Sequence, residues 1–168
     1  EALKRGITYF MPTPRLKAGF KRFDPACIGA ENFAKATALS TCDEWAEEIP
    51  LVSIPQVDAI VAGSVAVTRT GKRCGKGKGY SDIEFAILRE LGHDAVPVAT
   101  TVHQLSIVDD FPRDEIDLPL SFIITPDETI EVVTPFPPPD GINWDCLNDQ
   151  DLEDMPVLRD LILLGAKK

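Results

Sequence analysis

Histidine is nearly missing from this chain: two residues, His93 and His103, out of 168. Neither has a cysteine or a second histidine beside it, which argues against a transition-metal centre. Aromatic residues make up only 7% and do not interleave with the basic ones, so the stacking platforms of single-strand nucleic-acid binders are lacking. The four cysteines (Cys27, Cys42, Cys74, Cys146) form no CxxC pair. They read as reduced thiols of a cytoplasmic protein, not as a disulfide frame or a zinc site. No stretch comes near the roughly 18 uninterrupted apolar residues of a membrane span, and no signal-peptide pattern opens the chain. The first residue is Glu1 rather than Met, so a further N-terminal segment is expected to have been removed.

What is present is an aliphatic, loop-punctuated composition, 44% apolar with 14 prolines. The length suits one domain over residues 1–168. Net charge is −10, against generic binding to DNA, RNA or an anionic membrane. Its distribution is uneven. Residues 1–23 carry six basic groups (Lys4, Arg5, Arg15, Lys17, Lys21, Arg22) against one acid. Residues 69–79 carry five (Arg69, Lys72, Arg73, Lys76, Lys78) and no acid. Two positive islands therefore stand in an otherwise strongly acidic chain.

Residues 6–11 are β-prone and closed by Pro12, which predicts a buried strand. Residues 30–39 are alanine-rich and suit a helix, and a second short helix is expected over 43–48, stopped by Pro50. The run 57–68 is almost continuous in small and β-branched residues, as in a parallel-sheet strand covered on both faces. Ile83, Ala86, Ile87 and Leu91 recur at helical spacing over 80–91, before Gly92. Residues 95–102 and 105–108 are β-prone, 118–125 and 129–133 form a strand pair around Pro126-Asp127, and 135–141 is a proline-rich loop. A final helix over 151–164 is broken at Pro156. Strands alternating with helices predict an α/β domain with a mostly parallel sheet.

Chemistry concentrates in Gly71-Lys72-Arg73-Cys74-Gly75-Lys76-Gly77-Lys78-Gly79-Tyr80. Glycines at 75, 77 and 79 permit positive φ and close backbone approach, so successive N–H groups can converge on an anion. The loop enters a helix whose N-terminus adds free N–H groups and partial positive charge. Arg73, Lys76 and Lys78 add formal charge. The segment is not a P-loop, because no Lys-Ser/Thr follows the last glycine, and its spacing is not that of the dinucleotide fingerprint. A basic hairpin without ligand is the competing reading. His103, after a β-prone segment, is expected to be a hydrogen-bonded structural residue.

The stretch from Gly71 through Tyr80-Ser81-Asp82 resembles the hallmark of the 5-formyltetrahydrofolate cyclo-ligase (methenyltetrahydrofolate synthetase) family, Gly-x-Arg-Leu-Gly-x-Gly-x-Gly-Tyr-Tyr-Asp. The stretch from Phe111 to Ser121 is similar to that family's downstream Pro-x-Glu-x-His-Asp-x-x-x-Asp segment, and the similarity runs from about Lys4 to Val133. The resemblance implies a three-layer α/β sandwich, similar to the sugar-phosphate isomerase and CoA-transferase folds. It also implies a ligase that closes 5-formyltetrahydrofolate to 5,10-methenyltetrahydrofolate with ATP and Mg2+; the chain itself is expected to be a monomer or homodimer. By the same resemblance Arg73, Gly75, Gly77, Gly79 and Tyr80 would form the ATP-phosphate loop, with Lys76 and Lys78 as flanking charges. Asp82 would face magnesium or orient the loop, Asp117 matches the downstream acid, and Arg15 could reach the triphosphate or a folate's glutamate tail. The chain departs from the pattern at Cys74 for leucine, Ser81 for the second tyrosine, Ile116 for histidine and Ser121 for an acid, and Thr68 stands where the family usually has an acid after the central strand. Such departures, with Trp144-Asp145 and the stretch 155–158, resemble the cyclo-ligase-like paralogue branch. The alternative function is then a protein without cyclo-ligase activity that binds a nucleotide or another phosphorylated ligand.

Overall fold

The computed structural model describes residues 1–133 and 136–166; part of the proline-rich loop expected over 135–141 lies outside them. The chain divides into two compact units, Glu1–Ile54 with Asn148–Lys168, and Pro55–Leu147.

The first unit is built on an antiparallel sheet of β1 (Tyr9–Pro12), β2 (Phe20–Phe23) and β3 (Glu47–Ile49), in that order. β1 lies half-buried rather than buried. The tight Thr13–Gly19 connection takes left-handed backbone at Arg15 and Leu16, while the Thr13 hydroxyl accepts from the Ala18 N–H and donates to the Gly19 carbonyl. Tyr9 stacks on Phe23 with ring centroids 4.6 Å apart, above a small core of Leu3, Ile28, Ala36 and Cys42. The alanine-rich stretch winds only into a 3-10 turn at Ala30–Asn32 and α1 (Phe33–Ala36). Of the helix expected over 43–48, only a 3-10 turn at Cys42–Glu44 forms, and Glu47 and Glu48 belong to β3. There Lys21 and Arg22 of β2 stand opposite Glu48 and Glu47 and pair with them, long-range partners that local helix propensity does not register.

The second unit carries a four-stranded sheet of β4 (Ile60–Val61), β7 (Val98–Thr101), β8 (Phe122–Ile124) and β9 (Thr129–Glu131), in that order. β4, β7 and β8 are parallel and β9 is antiparallel on the edge, so the molecule is α/β with mixed sheets. The expected long strand over 57–68 does not form. The chain leaves the sheet after β4, where Thr100 donates to the Ala62 carbonyl (2.7 Å) and shares a hydrogen bond with the Ser64 hydroxyl (2.8 Å). It then forms a separate antiparallel hairpin, β5 (Ala66–Val67) with β6 (Arg73–Cys74). The segment 105–108 adds a single bridge, Ile107 to Val67, and otherwise holds a 3-10 turn at Gln104–Ser106. α2 (Tyr80–Glu90) follows the glycine loop as the spacing predicts. It buries Phe85 in the main core with Val67, Val98, Leu118, Leu120 and Ile123. Burying each such side chain stabilises the unit by about 1.5–3 kcal/mol.

Near the end of the chain, Pro156 separates α3 (Asp149–Asp154) from α4 (Val157–Leu163). Asn148 and Asp151 close a reciprocal capping box on α3. α4 buries Val157, Leu158 and Leu161 in the first unit.

Candidate functional site

A cleft of about 590 Å³ lies in the second unit, beyond the carboxyl end of β4, the usual position of ligand crevices in open parallel sheets. Its floor is Gly63–Val65, one wall is the chain from Arg73 to Asp82, and the other is Phe111, Pro112, Asp114 and Asp117. The structure thus brings Arg73, Gly75, Lys76, Gly77, Lys78, Gly79, Tyr80, Asp82 and Asp117 to one place. Arg15 is exposed on the Pro14–Leu16 turn of the first unit.

The glycine loop is built for backbone donors. Gly77 and Gly79 take φ of +80° and +65°, left-handed values that glycine adopts without strain. Gly79 is the N-cap of α2 and no side chain caps it. The first helical bond runs from the Ile83 N–H to the Gly79 carbonyl, so the amides of Tyr80, Ser81 and Asp82 are the free N–H groups of the helix terminus. Gly75 serves differently. Its φ is not positive, and a Cβ there would lie 3.0 Å from Arg73 Nη1, so the guanidinium packs closely against this glycine.

Arg73 is not the open phosphate cation the motif implies. Its side chain is 3% exposed and donates 2.6 Å from Nη2 to Asp82 Oδ1, whose side chain is 15% exposed. Nη1 donates to the Gly63 carbonyl at 3.1 Å, and Asp82 Oδ1 also accepts the Leu118 N–H at 2.9 Å. One buried pair therefore ties the floor, the hairpin, the first turn of α2 and the far end of the opposite wall. Asp117 likewise faces inward on its own loop: Oδ2 accepts the Asp114 N–H, and its carbonyl accepts Arg113 Nη2.

About half of the cations in the two basic islands are ion-paired in the fold. In the first, Lys21 pairs with Asp43, Arg22 with Glu47 and Arg5 with Glu1. In the second, Arg69 pairs with Glu128, Lys72 with Asp110 and Arg73 with Asp82. Lys76 and Lys78 remain exposed on the glycine loop, with no ion pair among the described residues. The usable positive charge of the cleft is thus two lysines and the backbone.

Sequence reasoning did not single out Glu84. It sits one turn into α2 close to Arg73 and Asp82, and burial pushes its carboxyl up to about 7, with Arg73 opposing the shift and Asp82 adding to it. Its signal was an acid on the core-facing side of an amphipathic helix. The floor Gly63–Val65 was also missed, because its residues read as strand. His103 is a local cap, its Nδ1 accepting the Leu105 N–H. Cys74, exposed, lines the cleft. Among the described residues no cluster of three or more His, Cys, Asp or Glu side chains is arranged for a metal ion, and no helix is long and apolar enough to cross a membrane.

The α/β unit presents an uncapped helix N-terminus behind a lysine-glycine loop, a local arrangement whose free N–H groups can receive an anion. The profile of the 5-formyltetrahydrofolate cyclo-ligase family matches residues 1–126, and the chain belongs to that family. It is 36% identical over 161 residues to the mouse methenyltetrahydrofolate synthase domain-containing protein, covering 92% of this chain and 43% of the relative. The human protein of that name is 35% identical over 161 residues (92% and 42%), and the zebrafish one 35% over 167 (95% and 44%). The chain thus spans less than half the length of these curated relatives. Among solved structures, the NMR structure of Aquifex aeolicus 5,10-methenyltetrahydrofolate synthetase aligns over 79% of this chain and 61% of that one, at 21% identity and a TM-score of 0.48.

Proposed function

We propose that this chain is a folate-interconverting ligase domain that closes 5-formyltetrahydrofolate to 5,10-methenyltetrahydrofolate with ATP and magnesium. The observation that carries the proposal is the loop Gly75–Gly79. It sets two unpaired lysines and an uncapped helix terminus on one wall of a cleft of about 590 Å³, in a chain of the cyclo-ligase family. ATP phosphorylates the formyl oxygen, the N10 amine attacks the activated carbon, and phosphate leaves. Lys76, Lys78 and the loop amides neutralise charge along the phosphates, which is the main catalytic need of such a transfer. Magnesium fits if it rides on the phosphates, since that ion is commonly held by one or two carboxylates plus phosphate oxygens. The carboxylates on the cleft wall are Asp82, Asp114 and Asp117. Asp82 offers its second oxygen, because Oδ1 already accepts two donors. In this proposal the sheet of the second unit is the centre of a three-layer sandwich. The four unpaired cysteines support a reducing, cytoplasmic setting.

A second reading is favoured by one observation. Where the family's downstream segment has histidine, this chain has Ile116, 40% exposed and without acid–base capacity. The domain would then bind a nucleotide without cyclising folate. One experiment separates the two. Purified protein with 5-formyltetrahydrofolate, ATP and magnesium is followed for the methenyl chromophore in the near ultraviolet, beside the ATP-dependent rise in melting temperature. Product formation supports the ligase. A thermal shift without product supports the second reading, and neither signal removes both.

A further inference from the structure

Lys72 directly precedes Arg73, the first residue of β6, and the two cations make separate ion pairs, with Asp110 and with Asp82. Each reaches one end of the same acidic loop. Lys72, 17% exposed, donates from Nζ to Asp110 Oδ1 at 2.5 Å and to the Phe111 carbonyl at 2.8 Å. Arg73 reaches the other end through Asp82, which accepts the Leu118 N–H. Between these pins the loop 110–118 closes on itself through the Arg113 to Asp117 and Asp114 to Asp117 hydrogen bonds. The Arg113 guanidinium lies 4.7 Å above the Phe136 ring, with Lys72 Nζ 6.0 Å from the same ring. Phe111, Pro112, Asp114 and Asp117 of this loop form the wall facing the glycine loop.

We propose that Lys72 is a positioning residue: it touches no phosphate and instead fixes the Phe111–Asp117 wall at the distance from Lys76 and Lys78 that a polyphosphate ligand requires. The proposal rests on the nucleotide-binding reading above. Sequence composition counts Lys72 only as one cation of the second basic island. In the structure its acceptors, Asp110 and the Phe111 carbonyl, stand at the start of the loop that forms the opposite wall, and its side chain is mostly covered. A lysine held this way acts on affinity through loop order and not through its own field at the ligand.

The test compares Lys72→Met, Asp110→Asn, the double variant and Lys76→Met by calorimetric titration with MgATP over a series of salt concentrations. Backbone hydrogen exchange of residues 110–118 is measured in each without ligand. Lys72→Met and Asp110→Asn are each expected to weaken MgATP by about ten-fold, the size of one charge-assisted contact. The double variant should be no weaker than either single one, and exchange across 110–118 should rise in all three. Their salt dependence should match the wild type, whereas Lys76→Met flattens it, because only a charge facing the ligand contributes to screening. A Lys72→Met variant that flattens the salt dependence like Lys76→Met, or that leaves exchange of the loop unchanged, overturns the proposal. If the wild type binds no MgATP, the nucleotide reading fails by itself, and the exchange measurement still decides whether Lys72 orders the wall.

Discussion

Arg73→Met is the perturbation that separates a strut from a ligand contact. The guanidinium is 3% exposed and its partner carboxylate 15% exposed, so neither charge is well screened by water. Removing one partner of a buried pair costs about 3–5 kcal/mol, because the other charge is left without compensation. The Gly63 carbonyl also loses its donor, and Glu84 loses the one cation that holds its carboxyl down. For a chain of this length each kcal/mol lowers the melting temperature by about 2–4 °C, so Arg73→Met should melt about 10 °C below the wild type. Asp82→Asn should melt lower by a similar amount. The double variant should fall well short of the sum, with a coupling of about 1–3 kcal/mol. The assay is differential scanning calorimetry of the four proteins, with MgATP titration beside it. If Arg73→Met melts within about 1 °C of the wild type while losing MgATP binding, the arginine is a phosphate contact and the strut account is wrong.

Three further outcomes follow from the geometry. Lys76→Gln with Lys78→Gln should weaken MgATP by about ten- to a hundred-fold, as two facing charges are lost, and leave the melting temperature within about 1 °C, since neither lysine pairs within the fold. Gly77→Ala forces a side chain into left-handed backbone at a cost of about 1–2 kcal/mol. Gly75→Ala acts through space instead, pressing on Arg73 Nη1 and reproducing a fraction of the Arg73→Met destabilisation; denaturant unfolding of the two variants distinguishes the causes, because only Gly75→Ala should be non-additive with Arg73→Met. Glu84 holds its proton more tightly in the folded chain than in the unfolded one. Its contribution is therefore fully present below the unfolded value of 4.5 and is lost as pH rises to about 7. Glu84→Gln should gain about 2–3 kcal/mol over the wild type at pH 8 and little at pH 5; a constant difference across that range would refute the assignment.

Local signals were legible in the sequence and long-range pairings were not. The amphipathic spacing of Ile83, Ala86 and Ile87 foretold α2, and the glycines at 77 and 79 foretold a left-handed loop at its start. Glu47 and Glu48 read as helix because helix propensity is local. Their partners Arg22 and Lys21 lie across a sheet that only the tertiary fold creates. The run 57–68 read as one strand because Gly63 looked like another small residue; the Thr100 hydroxyl, 38 residues from Ala62 in sequence, ends the strand there. The second basic island was visible as charge, but the acids that neutralise it are remote: Asp110 for Lys72 and Glu128 for Arg69. Charge counting located the cleft and overstated how many cations face it.

The account turns on a polyphosphate seated on Gly75–Gly79. Calorimetric titration of MgATP into the wild type and into the Lys76→Gln, Lys78→Gln variant tests it most directly. One site per chain in the wild type, weakened at least ten-fold in the variant at unchanged melting temperature, is the predicted result. No heat of binding at saturating MgATP, or equal affinity in both proteins, would contradict it.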